Sequence, residues 1–349
     1  MGSSFKTSDR IGIASGGNWI VDRVKIVDKL PGRGMLGNIR SEEASTGGGP
    51  ANVLFDLSRM GVGFPLTGIG LVGRDDDGRF VLDKGREHNV DVSHIAQTGD
   101  ARTSYTDVMS EEGTGERAFY HHRGANALFG PEHVPVGDLS CRVFHLGYLL
   151  LLDRMDEPDD EFGTVAARLL AELQAAGIKT SVDVVSEEGD RFKTIVPPAL
   201  THADYLIFNE IEAARTVGRS VRKDDGSLDA GELSAAVDEL MGLGGMELVA
   251  VHMPEGFYVR DRAGNSFSRG SLELPEGFIQ GSVGAGDAFA AGMLHGLHEG
   301  WEPADAGWLG TCCAAACLSS SNATDGLKRI PDVLELGKRF PERPRPLAG

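Results

Sequence analysis

From residue 143 onward, short runs of apolar and β-branched residues alternate with longer segments of helical periodicity. Nothing else in the 349-residue chain restricts its fold as much. Strands are expected at 143–152, 179–185, 205–208, 247–252 and 256–260. Helices are expected at 161–176 and 228–241, with a short one starting near Asn209 and a buried one at 304–318. Strands joined through helices must run mainly parallel, and such a sheet is stable only when helices cover both faces. The expected fold is therefore a three-layer α/β/α body around a mainly parallel sheet.

Two segments depart from this pattern. Residues 20–27 alternate, with Ile20, Asp22, Val24 and Ile26 on one face of a strand. Residues 102–109 and 117–123 flank a turn at 111–115 and read as a hairpin. The segments 18–45 and 101–126 are expected to pair as a small β-sheet lid over the body, which would comprise 1–17, 46–100 and 127–340, with 341–349 as a tail. Asp22 on an apolar face stands out as a candidate ligand contact, against the plainer reading of a charge that guards a sheet edge.

Two glycine loops run into helices. The first, Thr46-Gly47-Gly48-Gly49-Pro50-Ala51-Asn52, precedes a helix that stops at Gly61. Gly47 and Gly48 let the backbone approach a small polar ligand, and Asn52 offers it both a donor and an acceptor. The second loop contains Ser282, Gly284, Ala285 and Gly286, followed by Asp287 and a run of small and apolar residues. The unpaired amides of a helix start cradle phosphate oxygens. A carboxylate there repels phosphate but suits a base that takes a proton from a hydroxyl attacking phosphorus. The plainer reading of Asp287 is a helix cap. Gly68-Ile69-Gly70-Leu71-Val72-Gly73 matches a dinucleotide fingerprint in letters only. Arg74-Asp75-Asp76-Asp77 follows instead of a helix start, so a strand ending at a turn is expected, with Asp77 or a neighbour capping a helix at 78–89.

A net charge of −18 disfavours nucleic acid and anionic membranes as partners. Four cysteines, three of them in the 304–318 helix, show neither zinc spacing nor a disulfide framework. His121 and His122 are adjacent on a strand and face opposite ways, so they do not share a metal. No leader and no membrane-length apolar run is visible, which predicts a cytoplasmic protein.

In their order along the chain, these motifs resemble the ribokinase-like (PfkB) family of sugar and nucleoside kinases. Gly284-Ala285-Gly286-Asp287 resembles the end of its D-T-x-G-A-G-D signature, and Gly47-Gly48-Gly49-Pro50-Ala51-Asn52 its G-G-x-x-A-N loop. The segment from Gly17 to Asp22 resembles its opening strand, and Asn209-Glu210-Ile211-Glu212 its N-x-x-E motif. The resemblance implies transfer of the ATP γ-phosphoryl group to a hydroxyl, usually the primary alcohol of a sugar. Asp287 would be the base, and the amides of Gly284, Ala285 and Gly286 the anion hole. Asn209, Ser282, Gly284 and Gly286 would contact nucleotide. Asn209 and Glu212 would organise Mg²⁺ through water, and Asp22, Gly47, Gly48 and Asn52 would bind the sugar. Gly281 replaces the Asp that builds a monovalent-cation site in some relatives, so such activation is not expected here. A nucleoside acceptor, stacked on Tyr105, Phe119 or Tyr120, is the alternative reading within the family, and a non-catalytic sugar or nucleotide sensor the alternative outside enzymes. Arg123 is a candidate partner for an acidic sugar, and a homodimer through the lid is expected.

Overall fold

The computed structural model describes residues 9–114, 116–186 and 189–347. Residues 1–8, Gly115 of the hairpin turn and the last two residues of the tail lie outside the described residues.

Seven parallel strands form the centre of the main sheet. They are β1 (Ile13–Gly17), β4 (Leu66–Gly73), β5 (Asp91–Thr98), β8 (Val143–Leu149), β11 (Lys179–Val184), β12 (Tyr205–Asn209) and β13 (Leu248–Met253). Two antiparallel strands, β14 (Gly256–Asp261) and β15 (Ser266–Gly270), complete the order β15-β14-β13-β12-β11-β8-β1-β4-β5. A separate sheet, ordered β3-β2-β6-β7, consists of β2 (Ile20–Val27), β3 (Ile39–Gly47), β6 (Ser104–Glu111) and β7 (Arg117–His122). A two-stranded ribbon of β9 (Pro158–Asp159) and β10 (Gly163–Thr164) sits on a connection.

The expected three-layer architecture is borne out. Helices α1 (Gly49–Met60), α2 (Asp76–Glu87), α7 (Ala285–His298), α8 (Pro303–Cys317) and α9 (Ile330–Arg339) bury one core with the sheet, around Trp19, Phe55, Leu57 and Phe289. On the other face, α3 (Val165–Ala175), α4 (Phe192–Leu200), α5 (Glu210–Thr216) and α6 (Ala230–Gly242) bury a second core around Phe144, Leu170, Phe208 and Leu240. The four cysteines are free and buried.

Local sequence accounts for most element ends. Gly61 closes α1 in the left-handed conformation (φ 72°). Asp75, rather than Asp77, caps α2 by accepting from the Gly78 amide at 2.8 Å. The glycines of the 68–73 stretch have a packing role. A Cβ on Gly70 would stand 2.2 Å from the Trp19 ring, so β4 is bare where the buried indole crosses it. Helix α4 was not expected, because Pro197 and Pro198 lie inside it. The tail does not hang free. Arg343 donates its amide to the Ser271 carbonyl at 2.8 Å, Glu342 bridges to Leu272, and Leu347 is buried.

The strand order reverses beside β1, since the chain first builds outward through β4 and β5 and then returns to β8 on the other side. Such a switch point opens a crevice at the carboxyl ends of the strands. Gly17, Tyr148, Asp183 and Asn209 all stand at those ends or one residue before them.

Candidate active site

Helix α7 begins at the crevice. Its N-cap, Gly284, adopts φ 83°, and a Cβ there would come within 2.8 Å of three Ala323 atoms, so only glycine makes this entry without strain. Asp287 follows in the first turn and is 6 % exposed. Its Oδ1 accepts from the Tyr148 hydroxyl at 2.5 Å, and its Oδ2 from the Asn52 side-chain amide at 2.8 Å. Burial lifts its pKa from 3.8 to about 6, against the pull of these two hydrogen bonds. A buried carboxylate held on both oxygens, with its pKa raised toward neutrality, is suited to proton abstraction.

Asp183 and Glu212 share with Asp287 a cleft of about 230 Å³. Burial raises Asp183 well above the carboxylate range, with further push from Glu212 and Asp287. Glu212 rises to about 7, mainly through burial, although it accepts from Ser186 at 2.6 Å and from the Asn209 amide at 2.9 Å.

The N-x-x-E spacing has a structural use of its own. Asn209 Oδ1 accepts from the amides of Ile211 and Glu212, while Glu212 accepts from the Asn209 amide, a reciprocal capping box that starts α5. The Asn209 amide nitrogen turns to Ser186 Oγ at 3.2 Å. The Asn209 oxygen is thus engaged by the backbone amides of its own helix start. Among the described residues no three His, Cys, Asp or Glu side chains are placed to hold an ion directly. Neighbouring carboxylates that burial pushes toward protonation suit a hydrated divalent cation, which would relieve their repulsion.

The residues expected to face the sugar lie around the same carboxylate. Asp22 lies opposite Thr106 in β6, and burial lifts it to about 6 against a hydrogen bond from Thr106. Gly47 passes so close that a Cβ would stand 1.9 Å from Asp22 Oδ2, and Gly48 (φ 90°) passes equally close to the Asn18 carbonyl. Asn52 Oδ1 and Asn18 Nδ2 are buried without a hydrogen-bond partner, an acceptor and a donor left over beside the crevice. His121 binds Thr106 Oγ1 through Nδ1, and burial holds it at about 4. His122 stacks on Tyr105 from the other face, as the alternation requires.

On the far side of the first turn of α7 lies a cavity of about 540 Å³ with apolar walls from Met253, Leu272, Leu274, Ile279, Phe289 and Leu318. Asn209, Ser282, Ala285 and Gly286 line its inner end, and Arg343 from the chain end its rim. Gly284 instead faces the acid-lined cleft. The first turn of α7 separates a roomy apolar cavity from a smaller acidic one.

Sequence reading missed Tyr148 and Asn18, whose Oδ1 accepts from the Tyr148 amide at 2.7 Å. It also missed Asp56, a fully buried carboxyl one helical turn after Asn52 with neither oxygen partnered. Arg123 is occupied, donating to the Leu150 carbonyl at 3.0 Å and Asp153 at 2.7 Å. Phe119 and Tyr120 are largely exposed, at 59 % and 64 %.

A family model described as pfkB family carbohydrate kinase matches residues 11–330. An ATP-dependent ribose-1-phosphate kinase from Halopiger xanaduensis is 29% identical over 79% of this chain and 81% of its own length. A 5-dehydro-2-deoxygluconokinase from Shouchella clausii is 25% identical over 85% of this chain and 87% of its own. The fold matches Arabidopsis thaliana ribokinase complexed with ribose and ATP, with a TM-score of 0.75 at 18% identity, covering 94% of this chain and 98% of the other.

Proposed function

The chain belongs to the pfkB family of carbohydrate kinases, and on that premise we propose that it transfers the γ-phosphoryl group of ATP to a primary hydroxyl of a small sugar, with Asp287 as general base. The observation that carries this reading is the position of Asp287. It stands in the first turn of α7, between an apolar cavity of about 540 Å³ and a polar cleft, with its carboxyl held from two sides.

The apolar cavity takes the adenine, and Asn209 and Ser282 meet the nucleotide at its inner end. The phosphates then lie over the amides of Gly284, Ala285 and Gly286, whose fixed dipoles stabilise charge on the transferring group without reorganisation. Asp22, Gly47, Gly48 and Asn52 orient the sugar, and Asp287 takes the proton from its attacking hydroxyl. Glu212, with Asp183 beside it, would hold Mg²⁺ through water, and the ion would neutralise phosphate charge. Asn209 serves that site by fixing Glu212 through the capping box. The sheet β3-β2-β6-β7 acts as a lid that excludes water. Its exposed Met35, Leu36, Ile39, Phe119 and Tyr120 support pairing with the lid of a second copy.

The test is ATP consumption by the purified protein with Mg²⁺ across free sugars, sugar acids, sugar phosphates and nucleosides. The relatives make sugars, sugar acids and sugar phosphates the expected acceptors, with nucleosides inert. Turnover with nucleosides alone would establish the other acceptor class. Binding of ATP or sugar without turnover on any acceptor would mark a sensor.

A further inference from the structure

Of the groups that touch Asp287, one has no counterpart in the motifs that define the site. Tyr148 is the next-to-last residue of β8, just after the glycine at which β8 parts from β1, and three elements fix it. Its amide donates to Asn18 Oδ1 at the end of β1, its ring lies against Gly49 at the start of α1, and its hydroxyl donates to Asp287 Oδ1 on α7. The seat is tight, since a Cβ on Gly49 would come within 2.9 Å of the ring.

We propose that Tyr148 is a positioning residue for the base, fixing the rotation of the Asp287 carboxyl and favouring its anionic form. This rests on the reading of Asp287 as general base. A phenol has one proton, and at 2.5 Å that proton is directed at the carboxylate, within the range of charge-assisted O–H···O⁻ bonds. An ionised carboxylate offers about four lone-pair positions. Tyr148 and Asn52 occupy one on each oxygen, which leaves the remaining pair for the incoming hydroxyl in a plane the protein has already chosen. The other ionisable groups around Asp287 are Asp22 on β2, Asp56 on α1, Asp183 on β11 and Glu212 on α5, with the Cys317 thiol on α8 and the His252 imidazole near Gly286. All four acids, when charged, favour a protonated Asp287. Tyr148 and Asn52 are the two groups that oppose them, and Asn52 also faces the sugar.

The decisive variant is Tyr148→Phe, which keeps the ring on Gly49 and removes one oxygen. Expected are a fall in kcat of about 10- to 100-fold, the range for a hydrogen bond to a charged group, and an unchanged KM for ATP. The acid limb of kcat/KM moves to higher pH. As a second route that truncates nothing, 3-fluorotyrosine in the wild type strengthens the donor and should move the acid limb to lower pH, a shift that vanishes in the Tyr148→Phe background. A Tyr148→Phe enzyme with unchanged kcat and pH profile, beside an inactive Asp287→Asn, would overturn this inference and leave the base assignment standing. An active Asp287→Asn would remove both.

Discussion

Replacing Asp287 with asparagine exchanges one oxygen for a nitrogen at nearly constant shape, and the surroundings can absorb the exchange. Tyr148 keeps an oxygen to donate to, and Asn52 can turn its amide over, presenting its otherwise unpartnered Oδ1 to the new NH₂ group. Two effects of opposite sign follow. Loss of the base should lower kcat by about 10²- to 10⁴-fold. Stability should rise. The folded pKa of about 6 exceeds the ordinary 3.8, so the contribution of Asp287 to stability is fully present below about pH 4 and is lost as pH rises through 6. At 1.36 kcal/mol per pH unit, the gap corresponds to about 3 kcal/mol above pH 6. Asp287→Asn, which never ionises, escapes that loss. Urea unfolding should show a gain of about 3 kcal/mol at pH 8 and roughly half of it at pH 5, while ADP release with the best acceptor nearly ceases. An equal gain at both pH values, or none, would refute the assignment of the raised pKa to this carboxyl. Activity within tenfold of the wild type would refute its role as base.

Three further perturbations probe other parts of the site. Gly47→Ala places a methyl 1.9 Å from Asp22 Oδ2 and must displace that carboxylate, so the sugar KM should rise about 10- to 100-fold with the ATP KM unchanged in steady-state assays. Asp56→Leu replaces two unpartnered buried oxygens with methyl groups of the same branching and should stabilise the fold by about 1–3 kcal/mol at pH 8, read by urea unfolding. Burial raises the Asp56 pKa well above 3.8, so the gain should shrink toward pH 4. Removal of residues 341–349 takes Arg343 from the rim of the 540 Å³ cavity and uncovers β15, so the ATP KM should rise severalfold with the sugar KM unchanged.

Asp287 was legible because a glycine loop and a helix start are local in sequence, and so was the pair Asn209 and Glu212, one helical turn apart. The parallel sheet was legible from alternation alone, since buried strands and amphipathic helices have different periods. What joined the site together was not. Tyr148 and Asp287 are 139 residues apart, Asn52 and Asp287 235, and no local pattern marks a tyrosine at the end of an apolar strand as the partner of a distant acid. Asp56 was hidden between Phe55 and Leu57, in the buried stretch of α1. Two prolines masked α4, because tertiary packing on β11 and α3 holds a helix that propensity alone would forbid.

The small sheet joins the body at few points, and these carry the residues proposed to meet the acceptor. Gly17 and Asn18 lead from β1 into β2, and Gly47 and Gly48 lead from β3 into α1. At the root of β6, the Asp75 carboxylate that caps α2 also grips the Thr103 amide and hydroxyl. On the proposed reading, hinge and acceptor pocket are therefore one piece of chain. On that reading a substitution that admits a new acceptor also retunes how the sheet closes, so diversification of such a scaffold cannot alter taste without altering tempo.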